Sequence, residues 1–206
     1  MMLIGSHNSM GYLLPSSILK NFWFRSYKTQ ACNIETQYTT YGVRVFDISI
    51  GLDHNKHMVF KYHNTIYKTF SIYEILKYLN DKGDCYVRVI LDDTDYVTHD
   101  DRRIMETKFQ QQCNMYEEIY TNIKFFGGLK RSDWSRVYTF NGEKYKPMLI
   151  FPETTDKPFF KPESKLYLLI RKLSKKWYAK LRNAYLKEFA KRDGHDICIM
   201  FDHVEI

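Results

Sequence analysis

Three short apolar runs in this chain stop abruptly on histidine, asparagine or aspartate, and no other feature restricts the possible folds as tightly. Met2-Leu3-Ile4 gives way to Gly5-Ser6-His7-Asn8-Ser9. Val43-Arg44-Val45-Phe46-Asp47-Ile48-Ser49 follows, and then Met58-Val59-Phe60-Lys61-Tyr62-His63-Asn64. Runs this short and rich in Val, Ile and Phe read as strands. Side chains alternate along a strand, so Val43, Val45, Asp47 and Ser49 share one face, and Lys61 shares a face with His63. An aspartate on an inward face is costly unless it has a partner. Strands that end on His and Asn set an imidazole and an amide at the rim of a sheet. In barrel enzymes the chemistry sits at the carboxyl ends of the strands. His7, His63 and Asp47 are the parts needed for paired general base and general acid work near neutral pH. Taken singly, each reads as readily as a turn residue that caps the next helix.

Helical patterns separate further strands. Pro15-Ser16-Ser17 is a helix-start signal, and Asn33 to Tyr41 reads as a helix closed by Gly42. From Ser71 to Asp81, Ser71 and Glu74 make a capping box ahead of the stripe Ile72, Ile75, Leu76, Leu79. Cys85 to Leu91 is a continuous β-type run broken only by Arg88, and it ends in Asp92-Asp93. Asp101 to Tyr120 reads as helix. Phe125-Phe126, Arg136 to Phe140 and Met148 to Phe151 read as short strands, and Ser164 to Arg192 as a long helix before the final strand. Strands alternating with helices argue for α/β. About eight strand candidates at this length suit a small, irregular (β/α)8 TIM-type barrel, with some outer helices short or missing. No repeat or linker divides residues 1–206, so one domain is expected.

Composition narrows the partners. No stretch approaches the roughly 20 apolar residues of a membrane span, and no leader precedes the first strand, so an intracellular protein is expected. The cysteines Cys32, Cys85, Cys113 and Cys198 are widely spaced and form no zinc pattern. Charge is uneven: Lys161 to Arg192 holds eleven Lys or Arg against two Glu, a local +9 in a chain of +7. Such a stretch is either a solvated helix face or a patch for an anionic surface. The adjacent aromatics Phe22, Trp23 and Phe24, flanked by Lys20, Arg25 and Lys28, suit a lipid–water interface as well as they suit the base of a short helix. No recognition motif for nucleic acid is present, and no obligate protein partner is evident.

These fragments resemble a known family. Ile4-Gly5-Ser6-His7-Asn8-Ser9 is similar to the opening of the X-type catalytic domain of phosphatidylinositol-specific phospholipases C. Lys28-Thr29-Gln30, Ile34 with Gln37, and Tyr41-Gly42-Val43-Arg44-Val45-Phe46-Asp47-Ile48 follow in the order of its second segment. Tyr62-His63-Asn64 stands where the family has Tyr-His-Gly, and Ile197 to Glu205 resembles its closing strand. The likeness is dense over the first half, thins from about Thr94 to Asp196, and returns at the end.

The resemblance implies a phosphodiesterase acting at a phospholipid membrane. His7 would be the general base and His63 the general acid. Asp202 would orient the first His, and Asp47 would be the acidic residue of the second strand. Trp23 would dock on the bilayer with Phe22 and Phe24. The sequence departs from the pattern at Ser49, where bacterial members carry an arginine and calcium-dependent members an acid. The charge of the phosphate must still be met. Either calcium held by Asn8, Asp47 and Asp92 or Asp93 would meet it, or Lys61 or Arg88 would, with no metal at all. Two other readings stay open: a phosphodiesterase on another phospholipid or glycerophosphodiester, and a membrane- or phosphoinositide-binding barrel that no longer turns over.

Overall fold

The computed structural model describes residues 2–16, 29–53, 55, 57–62, 65–67, 71–92, 99–129, 149–150, 179–180, 183–184, 197–201 and 203–205. In chain order these form β1 (Met2–Ser6), α1 (Ile34–Thr39), β2 (Val43–Leu52), β3 (Met58–Tyr62), β4 (Thr65–Ile66), α2 (Ile72–Lys82), β5 (Cys85–Leu91), α3 (His99–Ile119), β6 (Ile123–Gly128), β7 (Leu149–Ile150) and β8 (Ile197–Phe201). The architecture is mixed α/β, as the alternation predicts. Two compact units are distinguished, and the division falls within β2. One comprises Met1–Tyr12, Arg25–Val45 and Pro147–Ile206, the other Leu13–Phe24 and Phe46–Lys146.

In the first unit, β1 lies parallel to β8, with Met2 opposite Ile197 and Ser6 opposite Phe201. β7 lies parallel on the other side of β8. Because the β1–β8 pair is parallel and in register, the two strands stop at the same edge. His7 follows one and Asp202 follows the other. Helix α1 is capped by Asn33, whose side chain accepts from the Thr36 amide, and it buries Ile34 and Gln37. Residues 179–180 and 183–184 are helical, with Ala179 and Asn183 buried and Lys180 exposed. Ala184, which the helical spacing of the sequence sets on the apolar stripe, is exposed, so the inward face here runs through Ala179 and Asn183 instead. The remainder of Ser164 to Arg192, the segment Phe22-Trp23-Phe24 and the strand expected at Arg136 to Phe140 lie outside the described residues.

In the second unit, β2 turns back on itself. Ile50, Gly51 and Leu52 pair antiparallel with Phe60, Val59 and Met58. The turn is local chemistry: Asp53 Oδ1 accepts from the amides of Asn55 and His57, and the Asp53 amide donates to the His57 carbonyl. β4 continues antiparallel to β3, whereas β5 and β6 are parallel, and β5 also pairs with β2. These pairings give a mixed sheet, not the uniformly parallel strands of a regular barrel. Pro15 forms an antiparallel bridge to Tyr67, and residues 17–28, where the helix is expected, lie outside the described residues. A Pro fits such an edge because it has no ladder donor to lose.

The helices of this unit obey their sequence signals. Helix α2 carries the Ser71–Glu74 capping box and turns Ile72, Leu76 and Leu79 inward, packing against β5. Helix α3 buries Met105, Phe109, Cys113 and Tyr116 against β5 and β6. Tyr116 stacks on Phe125 at 6.4 Å and meets Tyr73 edge-on at 5.7 Å. Each large side chain buried this way contributes roughly 1.5–3 kcal/mol.

Candidate functional site

At the end of β1, the His7 amide donates to the Phe201 carbonyl at 2.9 Å, prolonging the parallel ladder by one bond. Ser6 is buried, and its hydroxyl meets that of Ser9 at 2.5 Å; Ser9 Oγ also donates to the Ser6 carbonyl. The turn then bends through Asn8, a buried non-glycine residue with φ +42°. Asparagine tolerates this left-handed region better than most side chains. His7 is half-buried between the buried Ser6 and Asn8.

Residues just before and within α1 satisfy this turn one carbonyl at a time. Gln30 Nε2 donates to the His7 carbonyl, Thr29 Oγ1 to that of Asn8, and Gln37 Nε2 to that of Ser9, at 2.9, 3.0 and 2.9 Å. Gln37 Nε2 also reaches the Cys32 carbonyl at 2.8 Å. Gln30 Nε2 reaches across to the Phe201 carbonyl at 2.9 Å, and its Oε1 accepts from the Val204 amide at 3.1 Å. A Cβ on Gly11 would collide with Thr29 Oγ1, so glycine there is what lets the threonine approach. Thr29, Gln30 and Gln37 entered the sequence reading only through resemblance. The signal that could have revealed them is physical: amide side chains ahead of and within a helix that turn inward need partners, and a polar turn at a strand end has carbonyls to offer.

Beyond β8, His203 is buried and takes φ +53°. Its Nδ1 lies 2.9 Å from Glu205 Oε1, its amide donates to the Thr29 carbonyl, and its own carbonyl accepts from Asn183 Nδ2 at 3.3 Å. Asp202 lies outside the described residues.

In the second unit, Asp47 finds the partner its inward position demands. Arg88 Nη1 lies 2.8 Å from Asp47 Oδ1, and each side chain is 1% exposed. Arg88 is therefore no mere interruption of β5. It is the counter-ion that makes Asp47 affordable inside. Ser49, on the same face of β2, is buried, and among the described residues its Oγ has no hydrogen-bond partner. Farther along that face, the stem of Lys61 crosses Gly51. A Cβ on Gly51 would stand 2.7 Å from Lys61 Cδ and 3.3 Å from the Asp92 carbonyl, so the missing side chain makes the crossing possible. Lys61 and Asp92 are both buried. The face thus gathers Asp47, Ser49, Lys61 and Arg88, four of the residues singled out from sequence. His63, Asn64 and Asp93 lie outside the described residues.

Of the calcium set expected from sequence, Asn8, Asp47 and Asp92 are among the described residues. The carboxylate of Asp47 is engaged by a guanidinium, whose charge also opposes a nearby cation. Among the described residues, no group of three or more His, Cys, Asp or Glu is arranged to hold a metal. A cleft of about 520 Å³ in the second unit is lined instead by residues such as Met58, Val59, Ile72, Tyr73, Met115 and Tyr116, none of them a candidate from the sequence.

No family profile and no curated relative matches the chain. Among solved structures, the fold is similar to that of the phosphatidylinositol-specific phospholipase C from Listeria monocytogenes. That match has a TM-score of 0.56 at 14% identity, over 98% of this chain and 88% of that one. At this identity the likeness concerns the fold alone. No helix among the described residues is long and apolar enough to cross a membrane.

Proposed function

We propose that this chain is a phosphodiesterase of the phospholipase C type, a single (β/α)8-type catalytic domain acting on phosphatidylinositol at a membrane surface. The observation that carries the reading is the edge shared by β1 and β8. There His7 is bonded to the strand that leads into Asp202, in a chain whose fold is like that of a phospholipase C. Polar residues where parallel strands end are the usual makings of a site in such folds.

In the proposed reaction, the inositol 2-hydroxyl attacks the phosphorus and His7 takes its proton. The bond from phosphorus to the glycerol oxygen breaks, and His63 delivers a proton to that oxygen. The products are diacylglycerol and an inositol cyclic phosphate. Asp202 steadies the imidazolium formed on His7. Negative charge on the phosphoryl oxygens is met by Arg88 and Lys61 in place of the cation missing at Ser49, and no metal is needed. Phe22, Trp23 and Phe24, with the basic segment from Lys161 to Arg192, hold the protein at anionic lipid.

The test is cleavage of labelled phosphatidylinositol vesicles in excess chelator, with cyclic and acyclic products separated. Turnover is expected in chelator. His7→Ala should lower it by roughly 10²–10⁴-fold, the usual contribution of a positioned acid or base. Strict dependence on added calcium would refute the cation assignment, and undiminished turnover by His7→Ala would remove the base. A second reading, a barrel that binds phosphoinositide without turnover, is favoured by one observation: Arg88 is already committed to Asp47. Vesicle binding without product would select it. Turnover of a different phospholipid or of a glycerophosphodiester would instead relocate the substrate.

A further inference from the structure

We infer that the dipeptide Thr29-Gln30 is a clamp that positions His7 against the end of β8, so that both are positioning residues for the reaction proposed above. The inference rests on the reading of His7 as the base.

Strain is the starting point. Three non-glycine residues among those described have positive φ: Asn8, Asp84 and His203. Asp84 lies beyond the end of a helix, next to Gly83, where such angles are common. The other two flank the two strand ends of the candidate site, and both are held by this dipeptide. Thr29 Oγ1 bonds the Asn8 carbonyl, and the Thr29 carbonyl accepts from the His203 amide. A non-glycine residue in that region costs on the order of 1–3 kcal/mol, and it persists only where its surroundings over-determine it.

Gln30 supplies the rest of that determination. Its one side-chain amide bonds the His7 carbonyl, the Phe201 carbonyl and the Val204 amide, all within 3.1 Å. The peptide planes on both sides of the His7 Cα are thereby fixed: its amide by Phe201, its carbonyl by Gln30. A turn without these bonds would leave buried carbonyls unpaired and free to rotate. Misplacement of a reacting group by about 1 Å costs on the order of 10²-fold in rate. Two strand ends far apart in sequence are thus locked together by one buried side chain.

The experiment uses the full chain with three variants. Thr29→Val keeps the shape and loses the hydroxyl, Thr29→Ser restores the hydroxyl, and Gln30→Met removes every polar atom of the side chain. Three measurements are made on each: kcat and KM on phosphatidylinositol vesicles, the ring carbon resonances of His7, and the thermal midpoint. For Thr29→Val the expected result is a kcat lower by about tenfold or more, KM within about twofold, and displaced or broadened His7 ring signals. Thr29→Ser should return all three towards the parent. If Gln30→Met does not fold, the threonine pair decides.

Ring signals and kcat that match the parent in Thr29→Val would overturn the clamp. So would a serine variant as impaired as the valine. If the parent protein cleaves no phosphatidylinositol, the enzymatic reading falls by itself. The His7 ring signals then decide whether the clamp exists: displaced in Thr29→Val and restored in Thr29→Ser, it stands; unmoved, it does not.

Discussion

Replacing Arg88 by methionine is the most informative single change to the charged face of β2. The Arg88–Asp47 pair is 2.8 Å apart with both partners 1% exposed. At an effective dielectric near 20, that separation corresponds to an attraction of about 6 kcal/mol, against desolvation of several kcal/mol per ion. The pair itself is therefore close to neutral for stability, and its loss on one side only is not. Arg88→Met takes away the guanidinium that faces the buried Asp47 carboxylate at 2.8 Å, at an expected cost of about 3–5 kcal/mol. For a chain of this size the thermal midpoint should fall by on the order of 10 °C. The double variant Arg88→Met with Asp47→Leu removes both charges and should recover most of that loss. Equilibrium unfolding in urea of the parent, both single variants and the double variant gives the coupling energy directly. A single variant within about 1 kcal/mol of the parent, or a double variant as weak as Arg88→Met, would refute the claim that the two charges depend on each other. The same proteins probe the metal question. With Arg88 gone and Asp47 retained, calcium should stabilise the variant more than it does the parent, as read from the thermal midpoint with and without calcium.

Other outcomes follow from single buried groups. Ser49→Ala removes a buried hydroxyl that has no partner among the described residues, so stability should hold or rise by up to about 1 kcal/mol. A loss larger than that in urea unfolding would mean that Ser49 is bonded after all. Burial pushes the carboxyl of Glu117 on α3 up from 4.5 to about 7. Because its folded value is raised, the stability it contributes is complete below about 4.5 and is lost as pH rises through about 7. Glu117→Gln should flatten that decline in a series of thermal midpoints across the same window; an unchanged slope would assign the decline to other groups.

Much of the local structure was legible in the chain itself. The capping box at Ser71 and Glu74, the inward stripe of α2 and the limits of β5 follow from spacing that a reader of sequence can count. So does the shared face of Asp47 and Ser49, because period two is a property of any strand. The mixed α/β class followed from alternation. These features depend on residues within a few positions of one another, and such short-range rules do not need the rest of the chain.

Partner choice was a different matter. Sequence offered Arg88 as a cation for a phosphate and Asp47 as a catalytic acid or metal ligand. That the two pair with each other across 41 positions is seen only in the structure. That the stem of Lys61 needs the bare Cα of Gly51 emerged only from the hairpin. Gln30 reaches Phe201 across 171 positions. Nothing in the local pattern announces such a bond, because strand register and chain crossings set it. The sequence by itself determined the limits of β5 and the inward stripe of α2, whereas β2 runs on past Ser49 to Leu52. Only the tertiary structure decided which of those buried polar groups satisfy one another, since that choice is made by distances between segments that local periodicity does not encode.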